Sequence, residues 1–205
     1  PVLRMPQPAA VYAVSGDLGL LHADARTAAR SAGIDVEAYD RIGVVFSTMV
    51  DIPNSQIRAS YAELLGPSFW SNGTFLFSVI AHEIGHTYGL QHSNLWKVTD
   101  GNPVSASGTS WEYGDHFDVM GGGSFHNFDI SHWNKSIAQW IPDTSVTSVT
   151  EPGTYRIYRF DHPDADLSSP LALKVERDDT RDYWIGYRRG TPNASLDNGA
   201  YVVRG

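Results

Sequence analysis

Hydrophobic and polar positions recur with different periods along the chain, and the changes of period divide it. Residues 20–32, with Ala23, Ala25, Ala28 and Ala29, are helix-favouring up to Gly33, whose missing Cβ lets the chain turn away, and they read as a helix ended by that glycine. Ile42 to Met49 is an apolar run of strand length and predicts a buried strand. Phe75, Leu76, Phe77, Val79, Ile80 and Ala81 begin an apolar run that continues through Ile84, which is long for a strand and predicts a buried helix, with Ser71, Asn72 and Thr74 as available caps. Another helix is expected near residues 133–140, opened by His132 and Trp133 and closed ahead of Pro142. From Val146 onward, β-branched and aromatic residues come in short runs broken by Pro152-Gly153, Asp161 to Asp166, Asp178-Asp179 and Asn193 to Asn198, the pattern of a small all-β unit. The pattern predicts an α/β (α+β) region over residues 1–143 and a β-rich region over residues 144–205, without internal repeats.

Chemistry enters at residues 82–92, His82-Glu83-Ile84-Gly85-His86-Thr87-Tyr88-Gly89-Leu90-Gln91-His92, which complete the pattern H-E-x-x-H-x-x-G-x-x-H. His82 and His86 are four residues apart, so a helix of about 3.6 residues per turn sets both imidazoles on one face. Gly89 can take the left-handed conformation that ends the helix and brings His92 back as a third ligand. Three neutral imidazoles leave the fourth tetrahedral position of a zinc ion to water, the open coordination of a catalytic site. Glu83 lies about 100° round the helix from His82 and is the expected general base toward that water. A zinc site that binds without catalysing has no use for an uncoordinated carboxylate at this position.

Downstream, Asp118-Val119-Met120-Gly121-Gly122-Gly123 reads as a tight turn in which the Met120 thioether would form an apolar floor near the metal without competing as a ligand. Asp118 is a candidate brace for this turn or for a ligand histidine, and Tyr113 and His126 are candidates for the cleft. His116, like His126, flanks the turn, where a solvated loop histidine is the commoner case. His22, His132 and His162 read as structural or surface groups, and Tyr88 as a core residue.

The three-histidine motif together with the methionine turn resembles the metzincin clan of zinc metallopeptidases. Asp118-Val119-Met120-Gly121, with Trp70 ahead of the helix, is most similar to the gametolysin-like family, over roughly residues 28–204. The resemblance implies a metzincin-like catalytic domain with a twisted sheet and an active-site helix. It also implies His82, His86 and His92 as zinc ligands, Glu83 as general base, Met120 as the methionine of the turn, and hydrolysis of peptide bonds in extracellular proteins. Gly122 stands where several metzincins place a tyrosine, so no oxyanion-stabilising tyrosine carries over. Only two or three candidate strands precede Phe75, fewer than the clan's sheet has, and upstream strands are expected to be missing from this piece.

Composition narrows the alternatives. A chain of 205 residues that is 41% hydrophobic and 12% aromatic can bury a core, and a net charge of -8 leaves no basic surface for nucleic acid. No apolar run approaches the length of a membrane span, and the absence of cysteine excludes disulfides and thiolate metal ligands. A secreted enzyme fits this composition. Pro1 follows no initiator methionine, and signal and pro-segments are read as absent from this chain, which also looks cut short after Val203. Asp161, Asp164 and Asp166 could hold calcium, but without the glycine and distal glutamate of a calcium loop a solvated turn is favoured. Trp184, Tyr187, Arg188 and Arg189 could contact a glycan or peptide, or simply pair across strands. The competing function is a catalytically silent metzincin-fold module for adhesion to glycans or proteins.

Overall fold

Asp17 accepts the backbone N–H of Leu20 and starts a helix that runs to Ser31, and Gly33 beyond it takes φ +80°, as a helix-ending glycine should. These residues belong to a computed structural model that describes residues 2–122, 129–189, 197 and 199–205. The chain is mixed α/β, with few helices and several small sheets, and it forms two compact units, Pro1–Gln91 and His92–Gly205. Among the described residues no helix is long and apolar enough to cross a membrane.

The first unit contains helices α1 (Ala9–Ser15), α2 (Leu18–Ser31) and α3 (Phe77–Thr87), and strands β1 (Ile42–Phe46), β2 (Tyr61–Ala62) and β3 (Ser68–Asn72). The strands form a sheet in the order β1-β3-β2, with β1 parallel to β3 (Ile42 beside Ser68) and β2 antiparallel to it (Tyr61 beside Trp70). Central strand β3 is buried along most of its length, while Tyr12, Ala13, Leu21, Met49, Ile57 and Trp70 make one apolar cluster. The strand expected to reach Met49 stops at Phe46, because residues 47–49 bend away and Met49 turns inward to that cluster. Met49 N–H donates to Asn72 Oδ1 at 2.9 Å, which fixes the bend to the end of β3.

Helix α3 departs from its expected character. Phe75, Leu76 and Phe77 are well exposed, and the fully buried positions of α3 are Ser78, Glu83, Gly85 and Thr87, while Val79, Ile80, Ala81 and Ile84 of the apolar run are half-buried. None of the three expected caps closes its first turn. Leu76 occupies the N-cap without a side-chain bond, Ser71 donates to the Thr74 carbonyl, and Thr74 Oγ1 accepts Leu76 N–H just outside the helix. The far end is tied more firmly. Arg41 donates to Thr87 Oγ1 at 2.8 Å and stacks 3.7 Å over the half-buried Tyr88 ring, and Leu65 N–H donates to the His86 carbonyl at 3.0 Å.

The second unit contains a hairpin of β4 (Leu95–Val98) and β5 (Gly108–Trp111), helix α4 (His132–Ile137), and a four-stranded sheet in the order β6-β7-β8-β9. The sheet strands are β6 (Val146–Val149), β7 (Ala172–Asp178), β8 (Arg181–Tyr187) and β9 (Ala200–Arg204); β6 runs parallel to β7 and the other pairs are antiparallel. Ser131 caps the start of α4 by accepting Asn134 N–H, and the helix ends at Ile137, sooner than residue 140, just ahead of Gln139 at φ 58°. The division between units falls at Gln91/His92, whereas the change of pattern falls at 143/144. The physical reason lies in buried polar side chains. Arg188 donates to the carbonyls of Phe117 and Asp129, and Tyr201 donates to Asp115, so the segment after His92 is bonded into the β-rich region.

Candidate metal centre

The histidine motif occupies the last turns of α3 and the chain immediately beyond it. Tyr88 ends the helix, Gly89 takes φ +88°, and a Cβ added there would strike the Leu65 side chain, so this glycine serves both the turn and a close approach. Along residues 82–92, one donor atom each from His82, His86 and His92 lies within 4.8 Å of the others, and this is the one such group of metal-capable side chains among the described residues.

The hydrogen bonds fix which nitrogens face an ion. His86 Nδ1 lies 2.7 Å from the Leu90 carbonyl, an acceptor only, so Nδ1 carries the proton and Nε2 keeps its lone pair. His86 Nε2 is 3.1 Å from His82 Nε2. Two nitrogens about 2.05 Å from one tetrahedral zinc would be about 3.3 Å apart, so the pair is spaced to share such an ion. His92 Nδ1 is 2.8 Å from a Glu112 carboxylate oxygen, which again places the proton on Nδ1 and leaves Nε2 as the ligand atom. This neutral three-imidazole donor set suits zinc.

Glu83 is 6% exposed, and burial raises its carboxyl to about 7. A carboxyl poised there exchanges a proton readily near neutral pH, which is the property a general base needs.

Asp118 and Met120 belong to one braced turn. Asp118 is fully buried, accepting Met120 N–H on one oxygen and Ser131 N–H and the Asn134 amide on the other. Met120 is fully buried, and its carbonyl accepts Ser93 N–H at 2.9 Å, one residue past His92. A Cβ on Gly121 would collide with the Ser93 and Asp115 carbonyls, and one on Gly122 with the His116 ring, which explains glycine after the methionine. Asp118 thus braces the turn and the start of α4. His126 lies outside the described residues.

Tyr113 and Glu112 arrive through the β4–β5 hairpin. Its register pairs Leu95 with Trp111, so the residues after Trp111 return beside those before Leu95. Tyr113 O–H donates to His92 Nε2 at 2.8 Å, and Tyr113 N–H donates to Asn94 Oδ1 at 3.0 Å. Tyr113 has φ 58°, a conformation that costs a non-glycine residue about 1 kcal/mol and that gathers at functional sites. Glu112 had no signal of its own in the sequence, because its distance from His92 matches no helical or strand period and only the hairpin register joins them.

The remaining candidates are placed elsewhere. His22 is buried with Nε2 3.2 Å from the Ile42 carbonyl, and His132 is fully buried. His162 is an exposed turn residue whose Nδ1 accepts Asp164 N–H. Asp161 is held by Arg159, while Asp166 accepts from Ser168 and Ser169. Arg188 is 1% exposed, with its guanidinium 5.0 Å from the Phe160 ring centroid and 4.7 Å from that of Tyr201. Comparison with protein-family profiles, curated proteins and solved structures finds no match to this chain.

Proposed function

We propose that the protein is a zinc-dependent metalloendopeptidase of metzincin type, with His82, His86 and His92 as ligands and Glu83 as general base. The observation that carries this reading is the group of three imidazole nitrogens within 4.8 Å beside a buried carboxyl raised to about 7. A site meant only to bind gains nothing from that carboxyl, and its burial has a cost that function would explain.

Zinc, when bound, supplies a Lewis acid for the scissile carbonyl and brings the pKa of a water toward about 7. Glu83 accepts one proton of the attacking water on its carboxylate and delivers it to the departing amine nitrogen, so it ends the cycle as it began. Leu90 and Glu112 hold the Nδ1 protons of His86 and His92, so that the Nε2 lone pairs would be the ones offered to an ion. Met120 supports the His92 segment through its carbonyl bond to Ser93. The substrate is a protein or peptide, and the reading includes secretion.

The test is metal analysis with cleavage of a mixed peptide library, for wild type and Glu83→Gln together. Near-stoichiometric zinc in both proteins and a loss of turnover of about a thousandfold or more in the variant are expected. Zinc in both with cleavage by neither would replace the peptidase reading with that of a binding module.

A further inference from the structure

We infer that Glu112 and Tyr113 form a metal-loading clamp on His92, in which the Tyr113 hydroxyl and the ion take the same ring nitrogen in turn. The inference rests on the metal site proposed above and extends it to two residues that hold a ligand rather than act as one. Consecutive residues engage the two nitrogens of one imidazole. The Glu112 carboxylate takes the Nδ1 proton at 2.8 Å, and the Tyr113 O–H donates to Nε2 at 2.8 Å. With Nδ1 protonated, Nε2 has the one lone pair through which His92 can bind an ion, and the phenol already occupies it.

The clamp is built into the backbone as well. Tyr113 sits in the turn closed by Gly114 N–H to the Trp111 carbonyl, with φ 58° and its own N–H held by Asn94. Its ring lies against His92 with centroids 4.0 Å apart and planes tilted by 36°. Tyr113 is 44% exposed, so the hydroxyl can release Nε2 by a swing toward solvent without disturbing the core. Before loading, the phenol holds the Nε2 side of the imidazole through this hydrogen bond. On loading it yields, so Tyr113 opposes affinity while Glu112 supports it. Both are positioning residues.

Zinc affinity of chelator-stripped full chains, measured by competition with a chromophoric chelator, separates these roles. Tyr113→Phe keeps the ring and removes the competing hydroxyl, and is expected to bind zinc about fivefold more tightly. Glu112→Ala is expected to bind at least about tenfold more weakly, and Glu112→Gln, whose amide oxygen still accepts the Nδ1 proton, much closer to wild type. Zinc titration should also perturb tyrosine absorbance in wild type, with that component missing from Tyr113→Phe. A tyrosine that merely supported the fold would weaken binding when altered, so unchanged or weaker affinity in Tyr113→Phe overturns the clamp while leaving the zinc site standing. A wild type that binds no zinc overturns both.

Discussion

Residues 1–91 gather Tyr12, Ala13, Leu21, Met49, Ile57 and Trp70 into one apolar cluster, and the polar groups they bury are mostly serine and threonine hydroxyls, whereas residues 92–205 bury the charged Arg188 and Asp118 with His132 and Asn134, beside apolar residues that include Ile141, Phe160 and Leu171. The apolar cluster is held by removal of apolar area from water, which is nearly indifferent to direction and pH. The buried charged and amide groups of residues 92–205 depend on each donor meeting its acceptor, and that arrangement fails sharply when one partner is lost. Two histidines need only a regular helix. The third sits on irregular chain, and Asp118, Ser93 and Asn134 give that chain its shape through hydrogen bonds.

The sharpest way to break the contrast is Arg188→Ala. It leaves the Phe117 and Asp129 carbonyls without their donor and removes a cation from near the Asp115 carboxyl, so a loss of about 3–5 kcal/mol is expected in denaturant unfolding. Amide exchange should rise first within residues 92–205; a loss below about 1 kcal/mol would show that this polar interior carries little of the stability.

Acid should find the same half. Desolvation lowers His132 to about 3 in the folded chain from 6.5, so below pH 6.5 the unfolded chain takes a proton that the folded one refuses. The stability this represents is whole above pH 6.5 and declines as pH falls toward 3, by up to about 4 kcal/mol. Replacing His132 with leucine should flatten that limb of the curve; an unchanged acid limb would locate the sensitivity elsewhere.

Leu21→Ala probes the apolar cluster of residues 1–91. An expected loss of about 3 kcal/mol should vary little between pH 5 and 8, and a strong pH dependence would count against the contrast. The smallest effect expected is Ser131→Ala, about 1 kcal/mol through loss of the α4 cap, seen as a modest shift in thermal midpoint.

Legibility followed the range of the interactions. Helix α2 with its glycine stop, the two-histidine face and the β-rich end are local patterns and could be read directly. The β4–β5 hairpin was not readable, because its strands are short and widely separated, and with it went Glu112 and its bond to His92. The exposed Phe75–Phe77 stretch misled in the other direction, since an apolar run looks the same whether or not anything covers it. The burial of Arg188 was not readable from its charge, because only its partners reveal that a guanidinium is buried.

By itself the sequence determined the spacing of His82, Glu83, His86, Gly89 and His92, because helical period and the left-handed freedom of glycine act within a few residues. Tertiary structure alone decided that the segment after His92 belongs with the β-rich region, which nitrogen of His92 is left to a metal, and that the Glu83 carboxyl is raised to about 7. Burial and hydrogen bonding between residues distant in the chain set those properties, and no local pattern records them.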